Sequence, residues 1–275
     1  METLKKLTPA ETLLIRDGIQ VSFRDLLKYT LTDLVLKKVI KVVKEETPDE
    51  ADQQELIHQN VEIGPNFHTY QPKYHEEIYL QPFKKSPELQ IQLKHLIKMG
   101  WENAKNKGRY IFREVMVSAE IKNCFKEGWF YRVFHYPSYT DEGKEKKRII
   151  DAELARLDET LPHLMDNDPE GVKKLIDHIH GNILLVKSFD RERLKELDKA
   201  FHQESADYTM WGDMDTAAIF FLFLFNDYST SFDSEYNSFT ESSSWSGGGG
   251  CSSDGGGDGG CSGCSGCGGC GGCGG

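Results

Sequence analysis

The chain has 275 residues, with 33 lysines and arginines against 44 acids, a net charge of −11 and 38% hydrophobic residues. That size allows one moderate domain or two small ones, and the acidic balance excludes a broad phosphate-neutralising surface, so nucleic acid is a poor default partner. Residues 226–275 hold six acids (Asp227, Asp233, Glu235, Glu241, Asp254, Asp258) and no base, so more than half of the excess charge lies in the last fifth of the chain.

The opening Met-Glu-Thr-Leu-Lys-Lys leads into no apolar h-region, so no secretory signal is expected and the cytoplasm is the simplest location, with membrane association as the alternative. Thr8, Pro9 and Glu11 supply an N-cap, a first-turn proline and a capping-box acid for a helix reaching about Arg16 and stopping at Asp17-Gly18. Ser22 and Asp25 repeat the box, and the next helix places Leu26, Leu27, Leu31, Leu34 and Val35 on one face. Val39–Val43 reads as a strand. Helix, helix and strand over residues 1–45 make a winged-helix-like unit.

Residues 46–85 read as an irregular connection, starting with the polar stretch Glu45–Glu55 around Pro48. A second winged-helix-like unit is expected over 86–165. Its first helix begins at Ser86-Pro87-Glu88-Leu89 and ends near Gly108; another spans Val115–Lys126. A strand Trp129–His135 and a charged helix capped at Thr140-Asp141-Glu142, reaching about Leu161, complete this weak internal duplication.

A helical segment over 166–225 begins with a helix at Asp168-Pro169-Glu170 that Gly181 breaks, followed by the short apolar run Ile183–Val186 and a helix capped by Asp190 through about His202. It ends in the apolar run Ala217–Phe225, about half the length a membrane-spanning helix needs, which reads as a buried strand or short core helix while leaving a membrane-dipping segment open. A Ser-rich linker (226–246) precedes the tail, 247–275. The expected fold class is α+β, mostly α: winged-helix-like helical units with short strands, followed by a disordered tail.

That tail contains six of the seven cysteines and no aliphatic or aromatic side chain, so it cannot bury enough apolar surface to offset its chain entropy. Cys251 is followed by a ladder at every third residue, Cys261, Cys264, Cys267, Cys270 and Cys273, with only Gly or Ser between. Three readings stay open. The thiolates could gather a soft metal ion such as zinc, copper or iron, although the spacing matches neither a paired CxxC zinc site nor the ferredoxin run. The Gly-Ser-Cys pattern also suits a modification substrate whose Cys and Ser side chains cyclise onto the preceding carbonyl as thiazole or oxazole rings, with glycine leaving that carbonyl unhindered. The third reading is a flexible extension without a ligand, with inter-chain disulfides as a further use in an oxidising compartment.

LTPAETLLIRDG at 7–18, followed by LLKYTLTDLVLKKVIKV at 26–42, resembles an uncharacterised bacterial family with an N-terminal Leu-Thr-Pro-x-Glu helical domain and a variable Gly/Cys-rich C-terminus. Many of those relatives carry clear transmembrane segments, and here only Ala217–Phe225 could correspond to one. The resemblance implies a name for the fold and no activity.

Within the body, His178 and His180 are two apart and lack further ligands in register. Tyr74-His75-Glu76-Glu77 lacks the HExxH spacing of a zinc protease, and Cys124 reads as a core thiol in a helix. Arg24, Lys28, Lys37 and Lys38 would approach phosphates if the second helix entered a DNA groove, but Asp25 and Asp33 interrupt them. Residues 1–225 contain no GxGxxG, P-loop or GxSxG motif. The expectation is a non-catalytic protein with no catalytic residues. Its body docks a protein partner, a modifying enzyme or scaffold, and presents the tail; the alternatives are soft-metal capture by the tail and a winged-helix regulator.

Overall fold

The computed structural model describes residues 1–47, 56–126, 138–189, 230 and 232–240. Helix α1 (Glu2–Lys6) leads into α2 (Pro9–Asp17), where both halves of the capping box form. The Thr8 hydroxyl accepts from the Glu11 amide, and the Glu11 carboxylate accepts from the Thr8 amide at 2.7 Å. α3 (Phe23–Leu36) starts in the same way, with Ser22 accepting from the Asp25 amide. Of its 14 residues ten are buried, polar Lys28, Thr30, Thr32 and Asp33 among them. α3 is thus the central helix, enclosed on nearly every side.

The chain then forms an antiparallel hairpin of β1 (Ile40–Thr47) and β2 (Leu56–Ile63), in register from Ile40 opposite Ile63 to Thr47 opposite Leu56. β3 (Ile91–Gln92) pairs with the other edge of β2, giving the order β1-β2-β3. A 3₁₀ turn (Tyr74–Glu76), α4 (Glu77–Lys85) and α5 (Leu93–Ala104) pack beside α3 and this sheet. The short α6 (Lys107–Arg109) widens into a π turn over Tyr110–Val115. β4 (Phe125–Lys126) and β5 (Ser138–Tyr139) make a minimal second sheet.

α7 (Asp141–Asn167) lays Ile150, Leu154, Leu157, Leu161 and Met165 along one buried stripe against α1 and α2. α8 (Pro169–Ile179) and a 3₁₀ segment (His180–Leu185) close over α1, α2 and α3. Residues 232–240 form a last helix, α9. The molecule is therefore α+β and mostly α, with two small antiparallel sheets among the described residues.

Several expected boundaries move. The connection at 46–85 holds a full strand and a helix, because β2 gains cross-strand partners that single-residue propensity does not register, including a 2.7 Å pair between Lys41 and Glu62. α4 hides behind Pro82, which cannot donate to the Ile78 carbonyl; the Asn103 side chain donates there instead at 3.0 Å. Ser86–Leu89 forms a turn, and pairing of Ile91 with Val61 delays the helix to Leu93.

In place of the expected helix Val115–Lys126 the chain makes successive turns around Ser118, which bring Ile121 and Cys124 into the core. α7 runs through Pro162 to Asn167, since burying Leu161 and Met165 on either side offsets the roughly 3 kcal/mol such a proline costs. α9 lies within the stretch assigned to a linker: Phe232, Tyr236 and Phe239 are four and three apart and share one face. The expected strand 129–135, the helix from Asp190 to His202, the apolar run 217–225 and the tail lie outside the described residues. Among the described residues, no helix is long and apolar enough to cross a membrane.

At Gly143, in the first turn of α7, an added Cβ would sit 2.0 Å from the Cys124 carbonyl oxygen, which accepts from the Thr140 amide. Gly143→Ala is expected to cost about 1–3 kcal/mol. Gly108→Ala, whose Cβ would meet only the Asn106 side chain at 3.6 Å, is expected to be neutral or slightly stabilising. Thermal unfolding of the two variants checks both.

Candidate functional site

Asp33 and Lys37 are one turn apart on α3, and the Lys37 ammonium lies 2.6 Å from the Asp33 carboxylate. The same ammonium is 3.2 Å from Glu76 and donates to the Tyr70 hydroxyl at 3.0 Å. Tyr70 in turn donates to the Glu76 carboxylate, whose oxygens lie at 2.8 and 2.9 Å, and the Lys73 amide donates to it at 2.7 Å. The other Asp33 oxygen accepts from the Gly181 amide at 2.9 Å. Burial alone would pull the Lys37 ammonium down; Asp33 and Glu76 outweigh it and hold Lys37 well above its ordinary range. Burial likewise pushes the Glu76 carboxyl up, but Lys37 and the donated hydrogen bonds win and hold it below the usual carboxylate range. Tyr70 is raised by its burial.

A second cluster adjoins the first. Glu11, fully buried, accepts from the Thr8 amide and from the Lys73 ammonium at 2.7 and 2.9 Å. Lys73 also reaches Glu120 at 3.2 Å, which accepts from the Ser118 hydroxyl. Between the clusters sits His75, fully buried, with Nε2 3.0 Å from the Thr8 hydroxyl and Nδ1 without a hydrogen-bond partner. Burial lowers its pKa despite Glu76 and Glu11, so the imidazole is neutral at pH 7. Tyr110 donates to the His75 carbonyl at 3.1 Å.

Apart from His75 Nδ1, the charged groups of these clusters are paired with one another. A carboxylate surrounded by an ammonium, a phenol and an amide serves as a clamp between chain segments; here it ties together α2, α3, the 70–77 turn and Gly181.

The second feature is the root of the tail. α9 rests between α3 and α5, with the Phe232 side chain fully buried. Asp233 lies 3.5 Å from Arg24 and 3.3 Å from Lys28, both on α3. The rings of Phe232 and Tyr236 stack at 6.3 Å, and the Lys98 ammonium of α5 lies 6.0 Å over the Phe239 ring. Burial raises the Tyr236 phenol.

The cysteines singled out from the sequence, Cys251, Cys261, Cys264, Cys267, Cys270 and Cys273, lie outside the described residues. Cys124 is a buried thiol, as expected, though it sits in a turn; burial pushes its pKa up. His180 ends α8 in the left-handed region (φ 46°), while His178 stands 4.0 Å from Glu2. Among the described residues no three histidines, cysteines or acids are grouped to hold a metal ion. Arg24, Lys28 and Lys37 face acids of the body and α9, and Lys38 turns the chain out of α3 at φ 57°.

The buried His75-Glu76 pair has no local sequence signature, because its partners come from residues 8, 37 and 70. Only the Asp33…Lys37 spacing was available as a signal. No family model, curated protein or solved structure matches the chain. The chemistry of its own residues therefore carries the functional reading.

Lys37→Met leaves Asp33 and Glu76 buried without their cation and is expected to cost about 3–5 kcal/mol. Lys41→Met, which breaks the more exposed pair with Glu62, is expected to cost under about 1 kcal/mol in the same denaturant titration. The pH dependence follows from the directions of the shifts. His75 and His180 are lowered from 6.5, so their contribution is fully present above that value and is lost as pH falls through their folded pKa values. Glu76 is lowered from 4.5, so its contribution persists further and disappears only in stronger acid. Stability measured from pH 7 to 3 is expected to fall in these two stages, and His75→Gln should shrink the first.

Proposed function

We propose that this protein is a non-catalytic carrier: its folded body docks a partner and presents the Gly/Cys-rich segment 247–275 as a substrate for post-translational modification, in the manner of a ribosomal-peptide precursor. The observation that carries this reading is the ladder Cys261, Cys264, Cys267, Cys270, Cys273, set 20 residues beyond a helix that is pinned to the body. In each cyclisation a cysteine thiol adds to the preceding glycine carbonyl and one water leaves, giving a thiazoline; conversion to the aromatic thiazole removes two further hydrogens and needs a two-electron oxidant brought by the modifying enzyme. Glycine before each of these cysteines keeps that carbonyl accessible to an enzyme. α9 supports the reading from the other side, because it sets the point from which the segment departs. The partner is then a modifying enzyme or a scaffold, and the cytoplasm is the compartment that keeps the thiols reduced.

The even spacing of the ladder favours a second reading, capture of a soft metal ion such as zinc or copper(I) by several thiolates at once. The third, a winged-helix regulator, gains less support, since α3 is enclosed by the body and its basic residues are directed at acids.

Intact mass of the protein from its native host, in native buffer and again denatured and reduced, separates the first two. The proposal expects a denatured mass below the sequence value by one water for each ring, and by two further hydrogens for each ring oxidised to the thiazole or oxazole. A denatured mass equal to the sequence value, with extra native mass removed by chelator, would replace it with metal capture. Equal masses in both states would leave neither. Deleting residues 247–275 is expected to abolish either tail role while leaving the unfolding transition of the body unchanged.

A further inference from the structure

We infer that the exposed side of α5 is a docking surface for the acidic face of a partner protein, placed beside the root of the Gly/Cys-rich segment. Residues 84–113 contain eight lysines and arginines against three acids, on a chain of net charge −11. α5 gathers part of that excess. Lys94, Lys98 and Glu102 follow one another at four-residue spacing along one side of the helix, with His95 beside them and Lys105 at the C-cap; all five are exposed. Asn103 donates to the Ile78 carbonyl and Gly100 lies against the Tyr79 ring, so α4 runs back along α5 and brings exposed Lys85 toward the Lys94 end.

This charge does not serve the body. Among the described residues Lys85, Lys94 and Lys105 have no ion pair, and Lys98 approaches Glu102 at only 3.9 Å. Lys94 and Lys98 are like charges one turn apart, an arrangement that slightly destabilises a helix. Where the fold uses cations internally, at Lys37 and Lys73, it sets a carboxylate 2.6 and 2.7 Å away. A surface whose cations stay unpaired suits acids supplied from outside, which steer association and select the partner more than they add affinity.

The place of this surface points to the kind of partner. The Lys98 ammonium lies 6.0 Å over the Phe239 ring, one residue before Thr240, where the described chain ends. A protein docked on α5 therefore stands next to the start of the segment that leads to the cysteines. The chain's own acids beyond Thr240 are Glu241, Asp254 and Asp258. Three exposed pairs return less than it costs to order the Ser- and Gly-rich chain between them, so these acids make a poor occupant. An extended polyanion would meet Glu102 and the acidic remainder of the chain, whereas a folded partner need meet only α5.

The assignment of the partner as a modifying enzyme or scaffold rests on the proposed function. The docking itself is tested without the tail cysteines, so the failure of either reading is distinguishable.

The probe is a fluorescein-labelled helical peptide with glutamates at every fourth residue on one face, titrated into the full chain. Binding is expected to weaken as salt rises. Combining Lys94→Glu, Lys98→Glu and Lys105→Glu is expected to weaken it at least ~10-fold. Reversing three exposed charges on α7 instead, with Lys144→Glu, Arg148→Glu and Arg156→Glu, is expected to leave it unchanged. Far-ultraviolet circular dichroism confirms that each variant stays folded. Equal losses in the two variants would overturn the inference by reducing it to net charge, as would absence of binding by the native chain. Tighter binding of a single-stranded oligonucleotide of equal charge, lost in the α5 variant, would overturn it in favour of nucleic acid. A gain of at least ~10-fold on deleting residues 241–275 would overturn it in favour of the chain's own acids.

Discussion

Lys37 holds its charge inside the protein, and much of the architecture is arranged so that it can. An ammonium removed from water costs several kcal/mol unless it is closely paired. Here Asp33, one turn earlier on the same helix, and Glu76, from a separate turn, flank it. Neither acid is left to Lys37 alone, because Gly181 donates to Asp33, and Tyr70 and the Lys73 amide donate to Glu76. The cluster can form only when α3, the 70–77 turn and the segment after α8 have all reached their places. Non-specific apolar packing tolerates sliding of one helix along another; a buried ionic cluster that joins three segments does not.

The capping box of α2 extends the same logic. Glu11 begins as a local device that satisfies the Thr8 amide, yet it also binds the Lys73 ammonium, and Thr8 meets His75. A helix-start signal thereby doubles as a tertiary contact. The cost is an imidazole with one unsatisfied nitrogen in the core, held below its ordinary pKa by burial.

Against this tightly joined body, α9 is held differently. Its contacts with α3 and α5 include a buried ring, two cation–carboxylate contacts beyond 3 Å and a cation over a ring. Contacts at partly exposed charges are screened by salt and are individually weak. In the proposed division of labour a clamped body serves as platform, and α9 links it to a segment whose chemistry resides in its thiols.

The sequence by itself determined the starts of four helices and the chemical inventory of the tail. The caps at Thr8, Ser22, Thr140 and Asp168 each start a helix where they predict it, because a side-chain oxygen accepting a nearby amide is a contact within three residues. The Gly/Cys composition of 247–275 likewise states its chemical inventory without a fold. Only the tertiary structure decided the hairpin partner of Ile40–Thr47, the helix that carries Pro82, the seat of residues 232–240 and the joining of Thr8, Glu11, Lys37, Lys73, His75 and Glu76. Each of these depends on groups far apart in the chain, such as Asn103 serving the carbonyl that Pro82 cannot, or Lys28 meeting Asp233. Residue spacing encodes contacts within a turn or two, whereas the energy of a buried charge depends on whatever the whole fold places around it.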